Sequence, residues 1–408
     1  MTTVRFLHVA DTHIGCKTPA EFGSARELDF LRAFAQCVEL AIKENVDVVL
    51  HSGDLFHGSS VSPQLLVATI ELLKKLKKEG IPFIAIKGNH DIRGIRKVSA
   101  FDILRAAELL QEPGLRDPVK LESAGLAVYG ISEQRLQGKE LKEYYSKVLQ
   151  GLKSFQLDDG AELRVLLTHT VPKIYAAKEL YQDPRYLPAD IYPVENFDYI
   201  ALGHYHIAKK PKRIKRAVLA LPGSTEYTEI SKKELSREKY VFLVAAKNGN
   251  ITVRKKKIKT RNFQFWELQI DSEETLKKLE GFLRSIPEEA FAKVIVFLRR
   301  PELRARLREL WKLYGQRAVL EVHETAAVQP FLPGSSAQLS TLEELVQSCL
   351  EEATQGCSPE LQTLFAEVLQ KADELSGESF EHWLRRMFMP SFRAPQPGRT
   401  RQARLDEL

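Results

Sequence analysis

The sequence predicts an α/β protein with a second, smaller α+β unit behind it and a helical segment at the end. Three observations predict this. Short β-branched runs alternate with amphipathic stretches through the first half of the chain, the pattern of strands joined by helical crossovers. A second, shorter alternation follows Asn262, and two acidic amphipathic runs lie beyond a Pro/Gly/Ser stretch.

Taken in order, strands are expected at 4–10, 46–52, 82–87, 125–131, 163–168 and 197–202, each an apolar, β-branched run of strand length. The best-defined helix lies between the second and third. Ser62 supplies an N-cap, Pro63 fits the first helical position, Leu65, Leu66, Ile70 and Leu73 share one face, and Gly80 stops it. Runs 240–246 and 251–258 meet at Asn248-Gly249, the dipeptide of a tight hairpin turn. The larger unit then ends near Asn262, giving a first domain of residues 1–262. A second, 263–329, reads strand 263–270, helix 273–284, strand 293–299, helix 302–314 and strand 318–323. Pro330, Pro333 and Gly334 mark a linker. In the remaining region, 330–408, residues 342–350 and 361–375 are expected as acidic helices before a disordered Pro/Arg-rich end.

With 408 residues, 44% hydrophobic and 28% charged, the chain supports buried cores, which excludes a fibrous or wholly disordered protein. No run of about 18 apolar residues exists, so no membrane-spanning helix is expected. Residues 1–10 lack the blocks of a secretory leader. Cys16, Cys37, Cys349 and Cys357 are scattered without C-x-x-C spacing, so a reducing, cytoplasmic setting is expected, with no disulfide framework and no structural zinc.

The net charge of +6 hides local imbalance. Residues 209–261 hold 17 Lys/Arg against 4 Glu, a local +13 that leaves −7 for the rest. Residues 343–378 carry nine acids and one lysine, and the last 24 residues carry six arginines. A basic block is either a solvated face or a track for a polyanion such as a nucleic-acid backbone, and charge alone leaves both open.

Ten histidines occur, and eight precede residue 207. Six fall in five clusters: Asp11-Thr-His13, Gly53-Asp54-Leu-Phe-His57, Gly88-Asn89-His90-Asp91, Thr168-His169 and Gly203-His204-Tyr-His206. Each cluster sits where an expected strand ends, and the carboxyl ends of strands are where α/β proteins gather ligands. Asp11/His13 and His204/His206 are spaced i, i+2, which in extended backbone puts both side chains on one side. Five strand ends delivering Asp, Asn and His to one rim is what a metal site requires. The remaining histidines read blandly: His8 as core, His51 as support behind the site, His323 and His382 as surface or packing.

The ordered set Asp-x-His, Gly-Asp, Gly-Asn-His-Asp, His and Gly-His-x-His resembles that of the calcineurin-like metallophosphoesterases. The run from Gly53 to His57, followed by Ser62-Pro63 before a helix, is similar to the SbcD-type DNA repair nucleases, the nuclease subunits of SbcC–SbcD complexes. The motifs cover about residues 4–230. The resemblance implies an αββα sandwich, a small capping DNA-binding domain at 263–329 and a helical partner-binding region. It also implies two divalent ions per chain, bridged by Asp54. Asp11, His13 and His206 complete the first ligand set, and Asn89, His169 and His204 the second. Mixed N/O ligands suit Mn²⁺, with Mg²⁺, Fe²⁺, Co²⁺ or Zn²⁺ as substitutes.

Two such ions can hold the attacking and leaving oxygens of an in-line phosphoryl displacement. His90 is then placed to protonate the leaving oxygen, because an imidazole exchanges a proton near neutral pH. His57 is placed to contact the phosphate. Asp91 either orients His90 or lies on the surface. Lys209, Lys210, Lys212 and Arg213, which begin three residues past His206, are the candidate DNA contacts.

The expected function is a metal-dependent DNA exonuclease, also cutting single strands or hairpins, in double-strand break repair. The expected form is a nucleoid-associated homodimer working with an SMC-like ABC-type ATPase of the SbcC type. The chain itself carries no Gly-x-x-x-x-Gly-Lys-Ser/Thr loop. Its acidic helices would grip that partner, or else pack as a plain hairpin. The alternative is a phosphoesterase acting on a small molecule or a phosphoprotein, which would need neither the basic block nor the long extension after residue 262.

Overall fold

The computed structural model describes residues 3–92, 98–155, 157 and 160–324. The expected linker, acidic helices and Arg-rich end, with His382, Cys349 and Cys357, lie outside the described residues.

The first strands are β1 (Val4–Val9), β2 (Val48–His51), β3 (Phe83–Ala85), β4 (Val119–Leu121), β5 (Leu126–Ile131) and β6 (Leu163–Thr168). There follow β7 (Val171–Pro172), β8 (Tyr186–Leu187), β9 (Tyr199–Leu202), β10 (Lys209–Ile214), β11 (Ala217–Leu221), β12 (Lys239–Lys247) and β13 (Asn250–Ile258). Helices α1 (Gly23–Lys43), α2 (Pro63–Lys78), α3 (Ala100–Ala106), α4 (Gly138–Ser154) and a short α5 (Lys232–Leu235) connect them.

Two sheets result, in the orders β13-β12-β1-β2-β3 and β10-β11-β9-β6-β5-β4. β1, β2 and β3 are parallel, as are β5, β6, β9 and β11, and antiparallel strands flank each set. Phe6, Val48, Leu50, Ile84, Val128, Val165 and Leu167 fill the space between the sheets. α1, α2 and α3 cover the first sheet through Phe34, Val38, Leu73 and Phe101, and α4 covers the second through Tyr145 and Leu149. The architecture is an αββα sandwich. Strands buried on both faces are apolar along most of their length, so β2 and β9 read as near-continuous apolar runs, and β1 and β6 are each interrupted near their start by one arginine, Arg5 and Arg164.

Helix α2 starts as expected: Ser62 Oγ accepts the Leu65 N–H at 3.3 Å, and Pro63 occupies the first turn. Its buried stripe, however, is Leu65, Thr69, Leu73 and Leu76, while Leu66 and Ile70 are half-buried beside it. Thr69 is tolerated there because its hydroxyl donates to Leu65 O at 2.8 Å. The β12–β13 hairpin turns at Asn248 and Gly249, both with positive φ.

The smaller unit comprises β14 (Phe263–Ile270), α6 (Glu273–Ser285), β15 (Phe291–Leu298), α7 (Arg304–Tyr314) and β16 (Ala318–Glu324). Its three strands are parallel in the order β14-β15-β16, and it has its own core of Ile270, Leu279, Val294, Val296 and Leu307. Phe22 stacks on Phe291 at 3.9 Å, and Arg261 Nη1 donates to Glu289 O at 2.9 Å, seating it on the sandwich.

The basic block from 209 to 261 is not one track. β10 is the edge of the second sheet and β13 the edge of the first. Several of its cations are committed to acids: Arg216 to Asp198 and Lys256 to Glu44, each at 2.6 Å, and the buried Lys239 to Glu234 at 2.6 Å. Chain proximity merged charges that the fold separates.

Candidate metal centre

The five clusters follow β1, β2, β3, β6 and β9 at their carboxyl ends, and their side chains converge. Asp54 Oδ2 lies 3.2 Å from His169 Nε2 and 3.7 Å from His13 Nε2. His13 Nε2 is 3.1 Å from His206 Nε2, and His169 Nε2 is 3.9 Å from Asp11 Oδ1. His204 donates its backbone N–H to Asp11 Oδ1 at 3.0 Å and turns Nδ1 toward Asn89 Oδ1 at 3.2 Å. All seven candidate ligands are therefore brought together, drawn from both sheets.

The i, i+2 pairs do not converge by strand alternation, as expected from sequence. Asp11, His13, Asp54 and His204 all have left-handed backbone, with φ of 51°, 44°, 57° and 77°. Such residues cost about 1–3 kcal/mol each and persist where the surroundings over-determine them, which marks functional sites. The turns, not the pleat, aim the side chains. Two glycines make room: a Cβ at Gly88 would stand 2.2 Å from Asp54 Oδ1, and one at Gly203 would stand 2.3 Å from Ser52 O.

Three of the rings, His169, His204 and His206, have one nitrogen anchored away from the centre and the other aimed into it. His169 Nδ1 donates to Ser52 O at 2.8 Å, which leaves Nε2 as the nitrogen that faces Asp54 and the one able to ligate. His206 Nδ1 is tied to Thr228 Oγ1 at 2.5 Å, leaving Nε2 inward. His204 Nε2 lies 3.1 Å from Asp183 Oδ2. Burial opposes ionisation of Asp183, but the hydrogen bond and charge of His204, with Arg185, outweigh it and hold the carboxyl below its usual range. The carboxylate accepts from Nε2–H, which leaves Nδ1 facing the Asn89 carbonyl oxygen.

These groups fit a divalent cation. Burial pushes Asp11 up to about 7, with the Asp54 charge adding to the rise, and Asp11 Oδ2 has no hydrogen-bond partner. Burial works against charge on His169, yet Asp54 raises it to about 10. Two buried carboxylates thus demand positive charge beside them. Burial drives His13 and His206 well below the ordinary imidazole range, keeping them in the neutral form that ligates metals. Three sets, Asp11–His13–His206, Asp11–Asp54–His169 and His13–His57–His90, each place their ligand atoms within 4.8 Å of one another.

His57 and His90 stack at 4.7 Å beside His13, half-buried at the rim. His90 Nδ1 lies 3.0 Å from the His57 carbonyl oxygen, which can only accept, so Nδ1 keeps a proton and Nε2 is the position that can exchange one.

Asp91 is neither on the surface nor a partner of the His90 ring. It is fully buried and accepts three backbone N–H groups, from Phe56 at 2.8 Å, Gly88 at 2.9 Å and Leu55 at 3.2 Å. It locks the Asp54 loop to the Asn89 loop. Asp91→Asn, with one acceptor oxygen for three amides, should cost about 1–3 kcal/mol. The midpoint of urea unfolding measures this, and an unshifted midpoint would contradict the role.

His8 is buried between Tyr199 OH and Ser52 Oγ, and His51 supports Thr12 Oγ1 at 3.0 Å. His323 is exposed and pairs with Glu321. Lys209, Lys210, Lys212 and Arg213 lie along edge strand β10, with Lys209 Nζ 5.1 Å from the centre of the Tyr205 ring. Sequence reading missed Asp183, Thr228 and Lys239, whose Nζ donates to His206 O at 3.1 Å. None stands in a histidine cluster, so only the fold could point to them.

Residues 4–208, half of the chain, match the family model described as calcineurin-like phosphoesterase. The chain belongs to that family. It is similar to the DNA double-strand break repair protein Mre11 of Saccharolobus solfataricus, 30% identical over 64% of this chain and 66% of that protein. The protein of the same description from Archaeoglobus fulgidus is 30% identical over 67% of this chain and 64% of its own length. The chain thus spans just under two thirds of these relatives. Among solved structures it aligns with TT1561 of Thermus thermophilus, 13% identical, TM-score 0.38, over 62% of this chain and 99% of that one. Family membership implies divalent metal binding, and no helix among the described residues is long and apolar enough to cross a membrane.

Proposed function

We propose that this chain is a metal-dependent DNA nuclease of double-strand break repair. The observation that carries this is the convergence of buried Asp11, His13, Asp54 and His169 with half-buried Asn89, His204 and His206 on a common centre. Relatives described as double-strand break repair proteins favour DNA over a small molecule. The proposal extends to the SbcD-type assignment, two Mn²⁺ per chain, an SMC-like ATPase partner, a homodimer, and the division at residues 262 and 329.

In this reading Asp54 joins the two ligand sets, and divalent ions held there supply the charge that polarises a phosphodiester and acidifies the attacking water. The chain's own residues do the rest. The His57 backbone carbonyl fixes the His90 ring, and His90 Nε2 delivers a proton to the departing sugar oxygen. The His57 side chain lies against the phosphate. Incubation of the purified chain with Mn²⁺ and linear duplex, hairpin or single-stranded DNA tests the reading. Cleavage of DNA is the expected result. Hydrolysis of a small phosphodiester with none of DNA would favour the small-molecule alternative.

The cations on β10 supply a second test. If Lys209, Lys210, Lys212 and Arg213 contact phosphates, log K for duplex DNA falls with log salt by about 0.9 per neutralised phosphate. Reversing all four to Glu should weaken binding and flatten that slope while small-phosphodiester hydrolysis survives. An unchanged slope would make β10 a solvated edge.

A further inference from the structure

We propose that Asp183 is a positioning residue for His204, braced by Arg185 and Glu133, and that it fixes which ring nitrogen of His204 faces the metal centre. The inference rests on the reading of His204 as a ligand. Asp183 lies in the stretch between β6 and β9, outside every motif that identifies the site. Its Oδ2 lies 3.1 Å from His204 Nε2, while Oδ1 accepts the Arg185 backbone N–H at 2.9 Å and Arg185 Nη1 at 3.2 Å. The carboxylate is therefore held from two sides and cannot rotate freely.

The brace continues inward. Arg185 Nη2 donates to Glu133 Oε1 at 2.5 Å, and Tyr145 OH donates to Glu133 Oε2 at 2.6 Å. Glu133 and Tyr145 are both buried, so the far end of the chain is fixed in the core. The Glu133 backbone N–H donates to Lys87 O at 2.9 Å, two residues before Asn89. One network thus grips the backbone beside Asn89 and the ring of His204, whose facing atoms are 3.2 Å apart.

Its chemical effect is on the tautomer. A neutral imidazole has one proton, and an ionised carboxylate at Nε2 claims it, leaving Nδ1 as a lone pair toward Asn89. Without Asp183 the proton is free to sit on Nδ1, where it would donate to Asn89 Oδ1 and close that side of the centre to a cation. A carboxylate behind a ligating histidine also raises its basicity, and losing such a partner costs about 10–100-fold in metal affinity.

The test measures Mn²⁺ binding to the full chain by equilibrium dialysis. Asp183→Asn, which keeps the shape, should weaken one of two bound ions by about 10–100-fold and leave the other unchanged. The thermal midpoint without added metal should stay within a degree or two of wild type. Arg185→Gln, which removes only the brace, should shift the same ion in the same direction by less. His204→Ala separates the failures. If it leaves both ions bound, His204 is not a ligand and the reading of the site is wrong. If it releases an ion that Asp183→Asn and Arg185→Gln both hold as wild type does, the positioning role is overturned.

Discussion

Asp54→Asn is expected to abolish hydrolysis and remove the stabilisation that Mn²⁺ gives the folded chain. Asp54 stands between the two ligand sets: Oδ2 approaches both His169 and His13, and Oδ1 accepts the His90 backbone N–H at 2.8 Å. Asparagine tolerates the left-handed backbone at this position and keeps an oxygen for the His90 amide. The substitution therefore removes charge with little change of shape. A ligand at 100 times its Kd stabilises by about 2.7 kcal/mol, raising the wild-type melting temperature. In the variant that rise should vanish if, as proposed, Asp54 is the carboxylate shared by two ions and offsets their mutual repulsion. Two ions still tightly bound to Asp54→Asn would refute the bridge.

His90→Asn separates binding from chemistry. The His90 side chain meets His57 and His13 at the rim, and its backbone N–H rather than its ring serves Asp54. Mn²⁺ and DNA should therefore bind as before, while turnover falls by about 10²–10⁴, the usual contribution of a positioned acid. That corresponds to about 2.7–5.5 kcal/mol in the barrier. Single-turnover rates with saturating metal, alongside dialysis, give both numbers. Loss of an ion would show His90 to be a ligand and leave the leaving group without its assigned acid.

The sequence by itself determined the elements that are buried on both faces or capped by their own residues. β1, β6 and β9 are largely apolar runs, broken only by Arg5 and His8 in β1 and Arg164 in β6, α2 carries its Ser62 cap and Pro63, and β14, α6 and β15 alternate at short, regular spacing. The candidate ligands were visible for a related reason. Asp, Asn and His at strand ends are costly residues with no local structural purpose there, so their clustering stands out against the apolar pattern.

Tertiary structure decided the rest. β10 and β11 were not expected as strands, because β10 is a basic edge with no apolar face and takes its form from pairing with β11. The +13 block came apart because neighbouring residues were distributed to the edges of two different sheets. Asp91 moved from a supposed partner of His90 to the buried anchor of two loops, a role defined by three amides, two of them more than 30 residues away. Asp183 and Thr228 became partners of His204 and His206 through contacts about 20 residues apart in the chain. A motif is read from residues close in sequence. Hydrogen bonds that choose a tautomer are short-ranged in space and indifferent to chain distance, so only the folded arrangement contains them.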